Sequence, residues 1–310
     1  MSSQMSHTNS ILPTHSYHLV DASPWPAFTS FSVFITALGG VMYFHQYPSA
    51  GTIRVFGRLF RIFCASRWWR DVFRESDLGY HTGRVQRGLH YGMLWFIVSE
   101  AMFFFGLIWA FMHAALMPTV HIAGVWPPEG IVPVDWAGRP ALNTVRLAAS
   151  YFSANIAKYA MDAGRISLCR THLQITVLLG RLFLYYQYCE YSTAAFTFSD
   201  SVFGCNFYLA TGFHGFHVRI GVLFLTVSLI RLNELTPANC LSLKLSVRYW
   251  HFVDRVWVGI YGIIYFWGSY TAPVSWESCT GSDCVRFEVL QDAAGDLYKH
   301  DSNFPLDLKA

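Results

Sequence analysis

With 310 residues, 53% hydrophobic, 17% aromatic and only 13% charged, the chain has the composition of an integral membrane protein. A formal net charge of +3 is too small to recruit nucleic acid, and the basic residues interrupt apolar runs rather than forming a patch. The seven cysteines include no CxxC or CxxCH, which argues against zinc fingers and covalent haem. Cys64, Cys169, Cys189, Cys205 and Cys240 fall in or near apolar runs and read as small apolar residues. The opening MSSQMSHTNS has neither an apolar core nor an Arg-rich amphipathic pattern, so no cleavable signal or transit peptide is expected. An organellar protein of this kind would be made inside the organelle.

In chain order, residues 1–20 are polar, carry His7, His15 and His18, and read as a surface segment. SPWP at 23–26 brings an interfacial Trp to the first span, about Trp25 to His45, and YPSAG at 47–51 turns the chain. The second span, about Thr52 to Trp69, is the weakest by hydropathy. It holds Arg54, Arg58 and Arg61 on one helical face, which requires an interface, anionic headgroups or a protein partner. Residues 68–88, with two Trp, many charges, Gly79 and Gly83, read as a helix end and a loop.

The third span, Arg87 to Pro118, offers about 31 helical residues, or roughly 46 Å, enough to cross both headgroup layers. Glu100 lies about 20 Å into it, near mid-depth, among Phe96, Ile97, Phe103 and Phe104. An ionisable group there is either functional or a protonated Glu hydrogen-bonded to a neighbouring helix. A Pro/Gly-rich loop (121–140) leads to further spans at about 141–161, 172–191, 202–232 and 245–270. Ser199 or Asp200 is a candidate N-cap for the sixth. His214 and His217 share a face, as metal ligands do, but packing histidines are the expected reading. His90 and His113 are about 35 Å apart along one helix and cannot serve one metal. Asp254 is a second membrane-buried carboxylate, expected in a cluster with His251 or His217.

Basic residues concentrate in the loops after spans two, four and six. By the positive-inside rule, these loops and the N-terminus are on the inner side and the tail is on the outer side. Five regions follow: 1–24, an inner-side segment; 25–71, helices one and two; 72–86, an inner-side loop; 87–270, helices three to seven; and 271–310, an outer-side extension. In that extension TGSD separates Cys279 from Cys284, so a turn brings them to bridging distance. A disulfide and two free thiols both remain open.

The order of motifs resembles cytochrome c oxidase subunit III. It is carried by HSYHLVDASPWP (15–26), WWRDVFRES (68–76), HTGRVQRGLHYGM (81–93), the SE of 99–100 with FFFGLIWAFMH (103–113), GVWPPEGI (124–131), LNT (142–144), EYSTAAFTFSD (190–200), ATGFHGFHV (210–218) and WHFVD (250–254). The N-terminal YHLVDASPWP favours the cytochrome c branch over the quinol branch. The resemblance implies an all-α fold of seven transmembrane helices, a two-helix and a five-helix group around a lipid-filled V-shaped cleft. It implies a mitochondrial inner-membrane location, with the N-terminus in the matrix and the C-terminus in the intermembrane space.

The implied role is that of a non-catalytic subunit. It stabilises catalytic subunit I, touches other oxidase subunits, binds phospholipid in the cleft and supports proton uptake during oxygen reduction. No cofactor is expected in this chain; haem a and copper belong to partner subunits. By motif match, Trp69, Arg74, Glu75, His81 and Arg231 are the implied lipid-binding positions. For Arg74 and Arg231, simple positive-inside charge is the alternative.

Three departures from the family pattern stand out. AKYAMDAGR (157–165) replaces a usual pair of adjacent His. Arg181, Arg219 and Arg255 stand mid-span in a chain with 18 Arg and 4 Lys; they are either translation artefacts of RNA editing or a reassigned codon, or real arginines paired or covered by extra subunits. Lineage-specific partners are accordingly expected at Arg54, Arg58, Arg61 and the C-terminal tail. The rival reading is a standalone seven-helix proton-coupled transporter using Glu100, although no internal repeat is evident.

Overall fold

The computed structural model describes residues 15–237 and 239–269 in full, and the backbone of three strands at 276–280, 283–291 and 297–300. Seven α-helices run in order among the described residues: α1 (Trp25–Phe44), α2 (Ala50–Asp77), α3 (Gly83–Leu116), α4 (Arg139–Asp162), α5 (Ile166–Thr193), α6 (Ser201–Ile230) and α7 (Leu241–Ile260). A 3-10 turn at Arg231–Asn233 extends α6, and a π-turn at Tyr261–Phe266 extends α7. By length and apolar character alone, Trp25–Phe44, Gly83–Leu116 and Ser201–Asn233 suffice to cross a membrane. The other four helices carry more polar residues.

The largest departure from expectation is at α2, which continues through the charged WWRDVFRESD to Asp77. That stretch contains no Gly or Pro, and its charges are at home on a solvated helix end, so nothing stops the helix before Gly79. There the chain reverses in a Schellman motif. Gly79 (φ 86°) donates to the Ser76 carbonyl and Tyr80 to that of Glu75, at 3.1 and 3.0 Å. The same motif closes α4. Gly164 (φ 72°) donates to Met161 and Arg165 to Ala160, at 3.0 and 2.8 Å, so α5 follows almost at once. Asp200 occupies the α6 cap position, but its carboxylate accepts from the Thr197 N–H at 2.7 Å rather than from the helix.

The chain divides into two compact units, residues 1–92 and 93–310, with the division inside α3. Within the first unit, α1 and α2 pack through small residues seven apart: Ser32 and Gly39 on one helix, Ala50, Gly57 and Cys64 on the other. A Cβ on Gly39 would stand 2.7 Å from the Arg54 backbone nitrogen. One on Gly57 would stand 2.8 Å from that of Thr36. The two backbones are therefore in contact, the small-residue mode of helix association in lipid.

The second unit follows the same rule with larger side chains. Buried positions run along α5 at 169, 173, 176, 180, 183, 187 and 190, with 177 beside them, and along α7 at 243, 246, 250, 253, 257 and 260, with 247, 249, 252 and 254 widening that face. This alternation of threes and fours is the seam of a left-handed bundle. Trp250 lies at its centre. It is fully buried, donates to Ser150 Oγ on α4 at 3.0 Å, and is flanked by Gly180 of α5 and Gly221 of α6.

After the helices, β1 (Trp276–Thr280), β2 (Asp283–Gln291) and β3 (Leu297–His300) form an antiparallel sheet in the order β1-β2-β3. Its register pairs Cys279 with Cys284 and Thr280 with Asp283. The side chains of Cys279 and Cys284, and with them the expected bridge, lie outside the described residues.

Candidate functional site: polar clusters along the helices

In the second unit the seam carries three polar clusters. The first centres on Glu100, which projects from α3 toward α6; its Oε2 is 3.5 Å from His217 Nε2. His217 turns its other ring nitrogen to the Tyr249 hydroxyl on α7, at 2.9 Å. Phe104 packs edge-on against the imidazole with ring centroids 5.1 Å apart. The intramembrane carboxylate thus has a named partner, and the chain Glu100–His217–Tyr249 joins three helices through polar atoms. Apolar aromatic neighbours keep the local dielectric low, which strengthens each contact.

The second cluster settles which histidine attends Asp254. It is His251, whose Nδ1 is 3.8 Å from Asp254 Oδ2, while its Nε2 meets Asn155 Oδ1 of α4 at 3.0 Å. Both Asp254 oxygens are buried without a hydrogen bond. Beside it a groove of about 260 Å³ opens between α4 and α7, lined mainly by Leu147, Ala148, Tyr151 and Val258. His214, one turn from His217, is fully buried and has its Nε2 3.3 Å from the Val253 carbonyl oxygen.

The third cluster centres on Glu190, which the sequence offers only as part of the EYSTAAFTFSD motif at the end of the fifth span. Glu190 is buried in the last turns of α5 and accepts from Tyr265 Oη at 2.5 Å and from Gln187 Nε2 at 3.2 Å. The signal was present in the spacing: 183, 187 and 190 continue the buried seam to the helix end.

The expected lipid positions divide between the two units. In the first, Trp69 and Arg74 are exposed on the last turns of α2. Glu75 and His81 are brought together by the turn at Gly79, and His18 of the N-terminal segment joins them, with its Nε2 3.4 Å from Glu75 Oε2. Burial, and then the neighbouring His18, hold the His81 ring below the ordinary imidazole range, with Asp77 pulling the other way. In the second unit, Arg231 follows α6 and donates from Nε to Glu234 Oε2 at 2.9 Å. Asp162 and Lys244 pair at 2.9 Å, tying the end of α4 to the start of α7.

The unusual arginines face outward. Arg58, Arg61, Arg181, Arg219 and Arg255 are exposed, at positions off the packing seams. Arg54 lies over the Tyr43 ring, 4.0 Å from its centroid, and Arg146 over Tyr186 at 3.8 Å. Both contacts have cation–π geometry, which lessens the cost of a guanidinium among apolar groups.

The family model for cytochrome c oxidase subunit III matches residues 15–269. Cytochrome c oxidase subunit 3 of Triticum aestivum is 48% identical over 257 residues, 82% of this chain and 97% of the relative. The protein of that name from Prototheca wickerhamii is 47% identical over 257 residues, 82% of this chain and 98% of the relative. That of Coturnix japonica is 44% identical over 258 residues, with the same two coverages. Agreement over nearly the whole length of such distant relatives sets the transporter alternative aside. The chain therefore belongs to the cytochrome c oxidase subunit III family and is a membrane-embedded subunit of the oxidase complex.

Proposed function

We propose that this chain is a non-catalytic subunit of a mitochondrial inner-membrane oxidase. It stabilises the catalytic subunit, holds structural phospholipid, and supports proton uptake during oxygen reduction. The observation that carries the reading is the family match from residue 15 to residue 269. Three histidines of α6 and α7 support it: His214, His217 and His251 are each engaged by a carbonyl, hydroxyl, carboxylate or amide within the bundle. Haem a and copper are assigned to partner subunits as part of this reading. Trp95, Met102, Phe105 and Trp109 form one exposed stripe along α3, suited to acyl chains or an apolar partner helix.

The N-terminus and the basic loops are assigned to the matrix side, and the C-terminal extension to the intermembrane space. Phospholipid phosphate is assigned to Arg74, beside Trp69, Glu75 and His81, and to Arg231. Arg58 and Arg61, exposed on α2, are assigned to headgroups or an additional subunit, since acyl chains do not solvate guanidinium. Phospholipid phosphorus per haem a in the purified complex tests the lipid assignment. Arg74→Ala and Arg231→Ala should each lower it, and unchanged phosphorus in both variants would refute it.

A further inference from the structure

We propose that His18, Glu75 and His81 form a binding site for a divalent transition-metal ion of the zinc class, which clips the N-terminal segment to the end of α2. One imidazole nitrogen from each histidine and one Glu75 oxygen all lie within 4.8 Å of one another. The His18–Glu75 separation of 3.4 Å equals the edge of a tetrahedron with metal–ligand bonds of about 2.0–2.1 Å.

The convergence is built by contacts that do not involve these three side chains. The Schellman turn at Gly79 folds the chain back so that His81 stands beside the last turns of α2, where Glu75 projects. Thr82 Oγ1 donates to the Ser16 carbonyl at 2.9 Å, which holds the segment bearing His18 against the segment bearing His81. A backbone turn and one side-chain-to-backbone bond therefore bring three stretches of chain to one point.

The donor chemistry selects the ion. Two imidazoles and one carboxylate are a set that zinc takes with three protein ligands and one open position. Imidazole nitrogen disfavours calcium and magnesium, which require oxygen. The two imidazole rings lie side by side, tilted 45° with centroids 5.7 Å apart, so both present nitrogen to the same space as Glu75. Glu75 neutralises part of the ion's charge. Side-chain exposures of 38% for His18 and 23% for Glu75 give the ion a path from solvent and leave room for a fourth ligand.

The test uses the intact detergent-solubilised complex, stripped with chelator and dialysed to equilibrium against radioactive zinc. Wild type and Asp71→Asn, a control on the same end of α2, should retain one ion more per complex than His18→Ala, Glu75→Gln and His81→Ala. Zinc should also slow backbone hydrogen exchange at residues 16–20 by about tenfold or more in wild type and leave it unchanged in His18→Ala, since ligation restrains local opening. His18 is exposed and outside any helix, so that variant is expected to assemble even if the other two do not. Equal zinc in wild type and His18→Ala, or zinc without slowed exchange, would overturn the site.

Discussion

Trp250 is the point at which four helices meet, and crowding it should loosen the second unit in a defined way. A Cβ placed on Gly221 would stand 2.7 Å from Trp250 Cε3, and one on Gly180 would stand 2.7 Å from Cη2. Carbon atoms prefer about 3.5–4.0 Å, so each substitution demands a shift of roughly 1 Å. The indole cannot give way to both sides at once, because the two glycines flank it and its Nε1–H is held by Ser150 Oγ at 3.0 Å. Gly221→Ala should therefore destabilise the unit by about 1–3 kcal/mol, the usual cost of overpacking. Trp250→Phe acts in the opposite direction, opening space at both glycines. It also removes the Ser150 bond, although Ser150 Oγ still donates to the Leu147 carbonyl at 2.7 Å.

Combined with Trp250→Phe, Gly221→Ala should cost much less than alone, with a coupling on the order of 1–2 kcal/mol between these touching groups. The assay is the temperature at which this chain separates from the purified complex on native gels, measured around the full double-mutant cycle. Additive shifts, or a Gly221→Ala complex as stable as wild type, would refute the wedge geometry.

Further outcomes are expected elsewhere. Gly57→Ala should separate α1 from α2 and expose the 46–49 turn to protease, because its Cβ would meet the Thr36 backbone; Gly40→Ala, which meets nothing within 4 Å, should not. Glu100→Gln should leave assembly intact and alter turnover only modestly, as oxygen-uptake rates will show; complete loss of oxygen reduction in an assembled complex would contradict a supporting role. Tyr265→Phe withdraws a donor from the buried Glu190 carboxylate and should cost about 1–3 kcal/mol in thermal melts, with little added by Glu190→Gln in the same chain. Peptide mapping without reductant should recover Cys279 and Cys284 as a linked pair; full alkylation of both thiols before reduction would show otherwise.

The order and type of the helices were legible because three spans are strongly apolar and the rest are long, mainly apolar stretches punctuated by Gly, Pro or charge. The end of α2 was not, because charged residues such as Arg70, Arg74 and Glu75 look like loop in a hydropathy reading while remaining good helix formers. Glu100 stood out because it interrupts a long apolar stretch. Its partner did not, since several histidines had suitable chemistry and only the packing of α6 against α3 selects His217. Glu190 was hidden by its place at a helix end, where a carboxylate is unremarkable by composition; only the alternation of three and four along α5 marks it as buried. His18 is distant in sequence from Glu75 and His81, so their meeting depends on the Gly79 turn, whose glycine marks a break but not the direction of the returning chain, and on the Thr82–Ser16 bond, which has no compositional signal.

The central claim is that this chain supports the oxidase without holding its redox centres. It is tested most directly by stripping the chain from the purified complex and measuring haem a and copper per remaining complex, together with the initial rate of oxygen reduction. Haem a and copper should stay entirely with the residual complex, and the initial rate should persist while stability during turnover falls. Departure of haem a or copper with the chain, or immediate loss of oxygen reduction with both still bound, would contradict the claim.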